Sequence, residues 1–84
     1  MLCERELARS GPSAQVYFLM GVLHQARGEY LPAETFLGRT VYLDPDHEEA
    51  LLALAGLARS RGDSAGSLAY ARRANRAADR RNAT

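Results

Sequence analysis

Lysine, isoleucine and tryptophan are absent from these 84 residues, and cysteine occurs once, as Cys3. A single cysteine rules out an internal disulfide and fits a reducing cytosol. No apolar run approaches the roughly 20 residues a membrane span needs. Residues 1–10 contain Glu4, Glu6 and Arg9 and do not read as a signal peptide. The chain is therefore expected to be soluble and cytoplasmic, without membrane insertion. Valine is scarce, and Gly and Pro are not enriched as in loop-rich folds, so the balance favours helix over sheet.

Apolar residues make up 46% of the chain, which places it among globular rather than disordered sequences. Its length allows one domain at most, with a thin core. All eleven basic residues are arginine, a bias that points to a GC-rich bacterial genome. The net charge of +1 makes no overall case for nucleic acid. It is unevenly spread: residues 1–58 hold four arginines against eight acids, and residues 59–84 hold seven against two.

The chain repeats itself at one fixed spacing, which lays residue 17 on residue 51. At that offset Tyr17 falls on Leu51, Met20 on Leu54, Gly21 on Ala55 and Leu23 on Leu57. Arg27-Gly28-Glu29 falls on Arg61-Gly62-Asp63, Phe36 on Tyr70 and Arg39 on Arg73. Each unit reads as helix, turn, helix. In the first, Ser13 caps a helix that Gly28 ends, and Pro32 sits in the first turn of a second helix over about Tyr30–Leu43. Asp44-Pro45 stops that helix. In the second unit a helix starts after Asp46, with Glu49 placed to close a capping box, and ends at Arg61-Gly62. Asp63 or Ser64 caps the last helix, expected to reach about Arg80. Residues 13–46 form unit 1, residues 47–81 unit 2 with a basic terminal helix, and residues 82–84 a tail. Residues 1–10 read as the remnant helix of a preceding hairpin. Gly21, Ala33, Ala55 and Ser67 are the small residues that let helices approach. Tyr17, Met20, Leu23, Leu37, Leu51, Leu54 and Leu57 are expected to fill the space between. The fold class is all-α, with antiparallel hairpins that must stack because neither buries its apolar face alone.

The order Tyr17, Met20, Gly21, His24, Gly28, Ala33, Leu37, Pro45 resembles the tetratricopeptide (TPR) signature. His24 stands where that signature has Tyr, and Tyr17 where it has Trp. Unit 2 follows with Leu51, Leu54, Ala55, Ala58, Gly62, Ser67 and Ala71 and lacks the final Pro. The resemblance implies hairpins wound into a short right-handed superhelix whose role is protein binding. A narrower likeness rests on Gly11-Pro12-Ser13-Ala14 before Tyr17-Phe18-Leu19-Met20-Gly21, and on Thr40-Val41-Tyr42-Leu43-Asp44-Pro45-Asp46-His47 before Glu49-Ala50-Leu51. These stretches resemble the TPR tail of CheR-type chemoreceptor methyltransferases, in particular the biofilm-signalling (Wsp-pathway) type of pseudomonads. That likeness implies a non-catalytic C-terminal region of a SAM-dependent protein-glutamate methyltransferase. No enzyme activity and no cofactor are expected of this chain. Its partner would be a chemoreceptor, another signalling protein or its own catalytic domain.

TPR arrays bind through the concave face lined by the first helix of each unit. The positions there that do not point into a hairpin are Gln15, Phe18, Val22 and Gln25, then Glu49, Leu52, Gly56 and Arg59. Phe18 and Leu52 allow two readings. They line a hydrophobic groove for a peptide, or Phe18 packs against residues 2–9 or another domain. A clamp for terminal carboxylates is not expected, because Lys is absent and Asn75 and Asn82 fall in or beyond the last helix.

Arg72, Arg73, Arg76, Arg80 and Arg81 offer an anion-binding surface or, more simply, a solvated outer face near a helix C-terminus. Tyr70 is the lone aromatic nearby, too little to stack single strands, and no nucleic acid is expected. His24, His47 and Cys3 lack metal-ligand spacing. His24 should pack and His47 should be exposed. Asp44, Asp46, Glu48 and Glu49 fit helix capping rather than acid–base chemistry. Gly62–Ser67 lacks the strand and the Lys of a phosphate loop. A homodimer formed through uncovered apolar residues such as Leu2 and Leu7 is a further expectation.

Overall fold

The computed structural model describes residues 13–83, and the remnant helix expected over residues 1–10 lies outside them. Four helices follow one another: α1 (Ala14–Ala26), α2 (Tyr30–Leu43), α3 (Glu48–Ser60) and α4 (Ser64–Ala83). No strand occurs among the described residues, so the all-α expectation holds. α1 packs on α2 and α3 on α4 as two antiparallel hairpins, and α2 joins them by packing on α3. The last helix continues to Ala83, through most of the expected tail.

Local chemistry sets these boundaries. Ser13 Oγ accepts from the Val16 N–H (3.3 Å) and opens α1. Asp63 Oδ1 accepts from the Gly66 N–H (2.9 Å) and opens α4. Each hairpin turn is a Schellman closure around a glycine with positive φ, Gly28 at 76° and Gly62 at 79°. The Glu29 N–H donates to the His24 carbonyl (2.9 Å), and one repeat later the Asp63 N–H donates to the Ala58 carbonyl (2.8 Å). The repeat is thus written into the backbone as well as the side chains.

One apolar cluster joins the hairpins. Ala33 and Leu37 of α2 meet Ala50, Leu54 and Leu57 of α3, with Phe18, Val41, Ala53 and Tyr70 against them. A second cluster, Leu51 with Ala74 and Ala77, closes the α3–α4 hairpin, and Val41 and Tyr70 touch both. Gly21, Ala33, Ala55 and Ser67 are all buried, as their proposed spacing role requires. A Cβ on Gly21 would lie 2.8 Å from Leu37 Cγ, and Leu37 is itself fully buried.

Three expectations are corrected. Met20 and Leu23 do not fill the core: they are 38% and 61% exposed, whereas their counterparts Leu54 and Leu57 are buried. The reason is position in the stack. α3 is packed by both α2 and α4, whereas among the described residues α1 has α2 as its one main neighbour. Secondly, Asp46 does not cap α3. Its carboxylate is taken by Arg80, and His47 is the cap, with Nδ1 accepting from the Ala50 N–H at 3.2 Å. Thirdly, His47 is not exposed: its ring packs 4.7 Å from the Phe18 ring and is half-buried. With Nδ1 as acceptor the proton sits on Nε2, which lies 3.5 Å from Gln15 Oε1. One side chain therefore starts α3 and leans on α1.

This packing sets the sign of three substitutions. Gly21→Ala should lower thermal stability, because overpacking against immobile Leu37 costs about 1–3 kcal/mol and exceeds the helix-propensity gain of about 1 kcal/mol. Gly56→Ala, where nothing lies within 4 Å of the new Cβ, should instead stabilise by about 0.5–1 kcal/mol. Paired urea titrations give both signs. In the same assay His47→Ala should cost about 0.5–2 kcal/mol through the lost cap, with His47→Asn recovering part of it.

Candidate protein-binding surface

Positions 15, 18, 22 and 25 are spaced by three and four residues, so they share one face of α1. Leu52 and Arg59 are the repeat counterparts of Phe18 and Gln25 and occupy the matching face of α3. Gln15 and Val22 are exposed, as are Glu49, Gly56 and Arg59. Leu52 is 52% and Val22 38% exposed. Gln25 is half-buried.

Phe18 differs from the rest. It is half-buried, packs on the inter-hairpin cluster and lies against His47. It supports the floor of the surface and is not a free apolar contact, and what it packs on is the start of α3. The structure brings Gln15 and Phe18 together at His47. Val22 and Gln25 stand farther along α1, and Leu52 and Arg59 stand on the matching face of α3.

The basic terminal helix is largely engaged with its own chain. Arg80 reaches Asp46 through Nε (3.2 Å) and Nη2 (2.6 Å), and Arg81 reaches Glu48 (2.6 Å). Arg73 lies over the Tyr70 ring at 5.9 Å, as Arg39, its counterpart in the first unit, lies over Tyr17 and Phe36 at 5.6 and 5.7 Å. Arg72 and Arg76 are exposed. The uneven charge of the chain is thus an internal stitch: the arginines of α4 meet the acids of the α2–α3 junction. These pairs are substantially exposed, and each stabilises by about 0.2–1 kcal/mol.

Two surface clefts were not foreseen. One of about 490 Å³ lies between the α2–α3 junction and the end of α4, walled by Asp46, His47, Glu48, Ala77, Arg80 and Arg81. Its signal in the sequence was the opposite charge of the two halves, which does not say which residues meet. The other, about 160 Å³, lies between the start of α2 and the end of α3, with Tyr30, Leu31 and Leu57 beside the Glu34–Arg61 ion pair. Two large apolar side chains, Tyr30 and Leu31, at the first turn of α2 were the available hint. His24, expected to pack, stacks on Phe36 with centroids 5.3 Å apart, and its Nδ1–H donates to Glu29 (2.7 Å).

No group of three His, Cys, Asp or Glu side chains suited to a metal ion occurs among the described residues. No described helix is long and apolar enough to cross a membrane.

No family model matches the chain, and no solved structure matches it. Two curated proteins do. The chain is 45% identical over 74 residues to the "Probable biofilm formation methyltransferase WspC" of Pseudomonas aeruginosa, a match that covers 88% of this chain and 18% of that protein. It is 41% identical over 75 residues to the protein of the same name from Pseudomonas putida, covering 89% of this chain and again 18% of the relative. The chain therefore spans less than a fifth of the length of these relatives, and it is homologous to one region of a biofilm-formation methyltransferase.

Proposed function

We propose that this chain is a TPR-type protein-interaction region of a CheR-type, biofilm-signalling methyltransferase, standing as its non-catalytic C-terminal part. The methyl transfer itself would belong to a domain outside the chain. Two things support the reading: homology to a short region of proteins named as methyltransferases, and a stacked pair of hairpins whose side chains repeat in register.

The observation that carries the binding role is the exposure of Val22, Leu52 and Arg59 on matching faces of α1 and α3. Val22 and Leu52 could each have been polar at no cost to the core. Together with Gln15 and Gln25 they form a surface of apolar centres flanked by amides and one guanidinium, suited to a helix or an extended segment bearing an acid. Phe18 serves it from beneath. The partner would be a cytoplasmic signalling protein such as a chemoreceptor, or the methyltransferase's own catalytic domain.

Calorimetric titration of the purified chain with a chemoreceptor cytoplasmic fragment of the same pathway, and with the catalytic domain, tests this. Leu52→Glu combined with Arg59→Glu should weaken the observed complex at least tenfold, about 1.4 kcal/mol, with unchanged helicity. Phe18→Ala should lower the melting temperature instead. Binding to neither protein, or affinity indifferent to the double substitution, would remove this surface from the reading.

A further inference from the structure

Two neighbouring side chains are able to cap the first turn of α3. His47 does so, with Nδ1 accepting from the Ala50 N–H at 3.2 Å. Asp46, one residue earlier, is the better cap by residue type, and Glu49 stands three residues after it to complete a capping box. The end of α4 withholds Asp46 from that role. Arg80 takes both of its oxygens, through Nε at 3.2 Å and Nη2 at 2.6 Å. A charged, two-point pair of this kind outweighs a single bond to a backbone N–H.

The choice of cap decides where the imidazole goes. With Asp46 as cap, α3 would begin one residue earlier. His47 is close to that state already, since its φ of −73° is helical and only ψ, at 92°, has to turn. The Ala50 N–H would then donate to the Asp46 carbonyl, four residues back, and Nδ1 would lose its donor. The imidazole would also leave the Phe18 ring, now 4.7 Å away, and Gln15, whose Oε1 lies 3.5 Å from Nε2. Through these contacts the start of α3 meets α1.

We propose that Arg80 is a positioning residue: by occupying Asp46 it reserves the α3 cap for His47 and so keeps the imidazole against α1. The end of α4 thereby governs how α1 sits on the start of α3. Drawing that end away hands the cap to Asp46 and releases the Phe18 contact. The device concerns the seating of two helices, and it stands whether or not the surface above them binds a partner.

NMR of the isotopically labelled 84-residue chain tests this. The unsubstituted chain should show a nuclear Overhauser contact between the Phe18 and His47 rings. Arg80→Ala should abolish it and move the His47 Cα shift to a helical value, with overall helicity retained because the Arg80–Asp46 pair is exposed. Adding Asp46→Ala to Arg80→Ala should bring the ring contact back, since the competing cap is gone. A merely structural tether would give no such rescue. Arg72→Ala, on the exposed side of α4, should leave the contact in place. A ring contact that survives Arg80→Ala would overturn the proposal, as would its absence from the double variant or its loss in Arg72→Ala. Partner affinity enters none of these readouts, so failure of the binding reading and failure of this one are distinguishable.

Discussion

The structure hinges on the seam where α2 is held between α1 and α3. Leu37 is its centre: on one side it presses on the backbone of Gly21, and on the other it enters the cluster formed by Ala50, Leu54 and Leu57. A hairpin of two short helices buries too little apolar surface to offset the entropy of ordering its chain. The seam allows both hairpins to share one core. It also explains the distribution of small residues, since Gly21 and Ala55 lie at the same point of each hairpin and set how near its helices come. The Arg80–Asp46 and Arg81–Glu48 pairs tie α4 to the start of α3, but exposure limits them to a supporting part.

His47 couples the seam to the surface above it. Its ring nitrogen satisfies the first turn of α3, and its ring face receives Phe18 from α1. A conventional Asp or Ser at this cap would satisfy the backbone equally well but would offer no face to pack against. The imidazole thus sets the distance between the first turns of α1 and α3. Those two helices carry Gln15, Val22, Leu52 and Arg59, so the surface proposed for binding rests on a spacing fixed from below. Substituting His47 would therefore alter the surface through its contacts with Gln15 and Phe18.

Much of this was legible because the repeat relates side chains of known size. Gly21 over Ala55 and Gly28 over Gly62 foretold close helix approach and glycine-ended helices, whereas Arg39 over Arg73 gave no sign that both would lie over rings. What the spacing cannot say is how many neighbours a given copy has. Met20 and Leu23 look the same in sequence as Leu54 and Leu57, and their different burial follows from the order of the stack. The capping box at Asp46 and Glu49 failed for another reason. Local rules treat a carboxylate as free to cap, and here the guanidinium of Arg80, a full repeat away, competes for it and wins two hydrogen bonds. Phe18 was legible as an apolar residue on the wrong face, but its partner was a histidine whose packing role no local pattern announces.

The two ends of the stack differ in character. The face of α1 that would receive a further helix carries Val16, Met20 and Leu23, whereas α4 turns Arg72, Asn75 and Arg76 outward. A helical array ends stably when its last outer face is polar, because water then serves as the final neighbour. Val22, Leu52 and Arg59 lie away from the core that joins the hairpins and stay exposed. The core between the hairpins and the surface proposed for binding thus use separate faces of the same two helices.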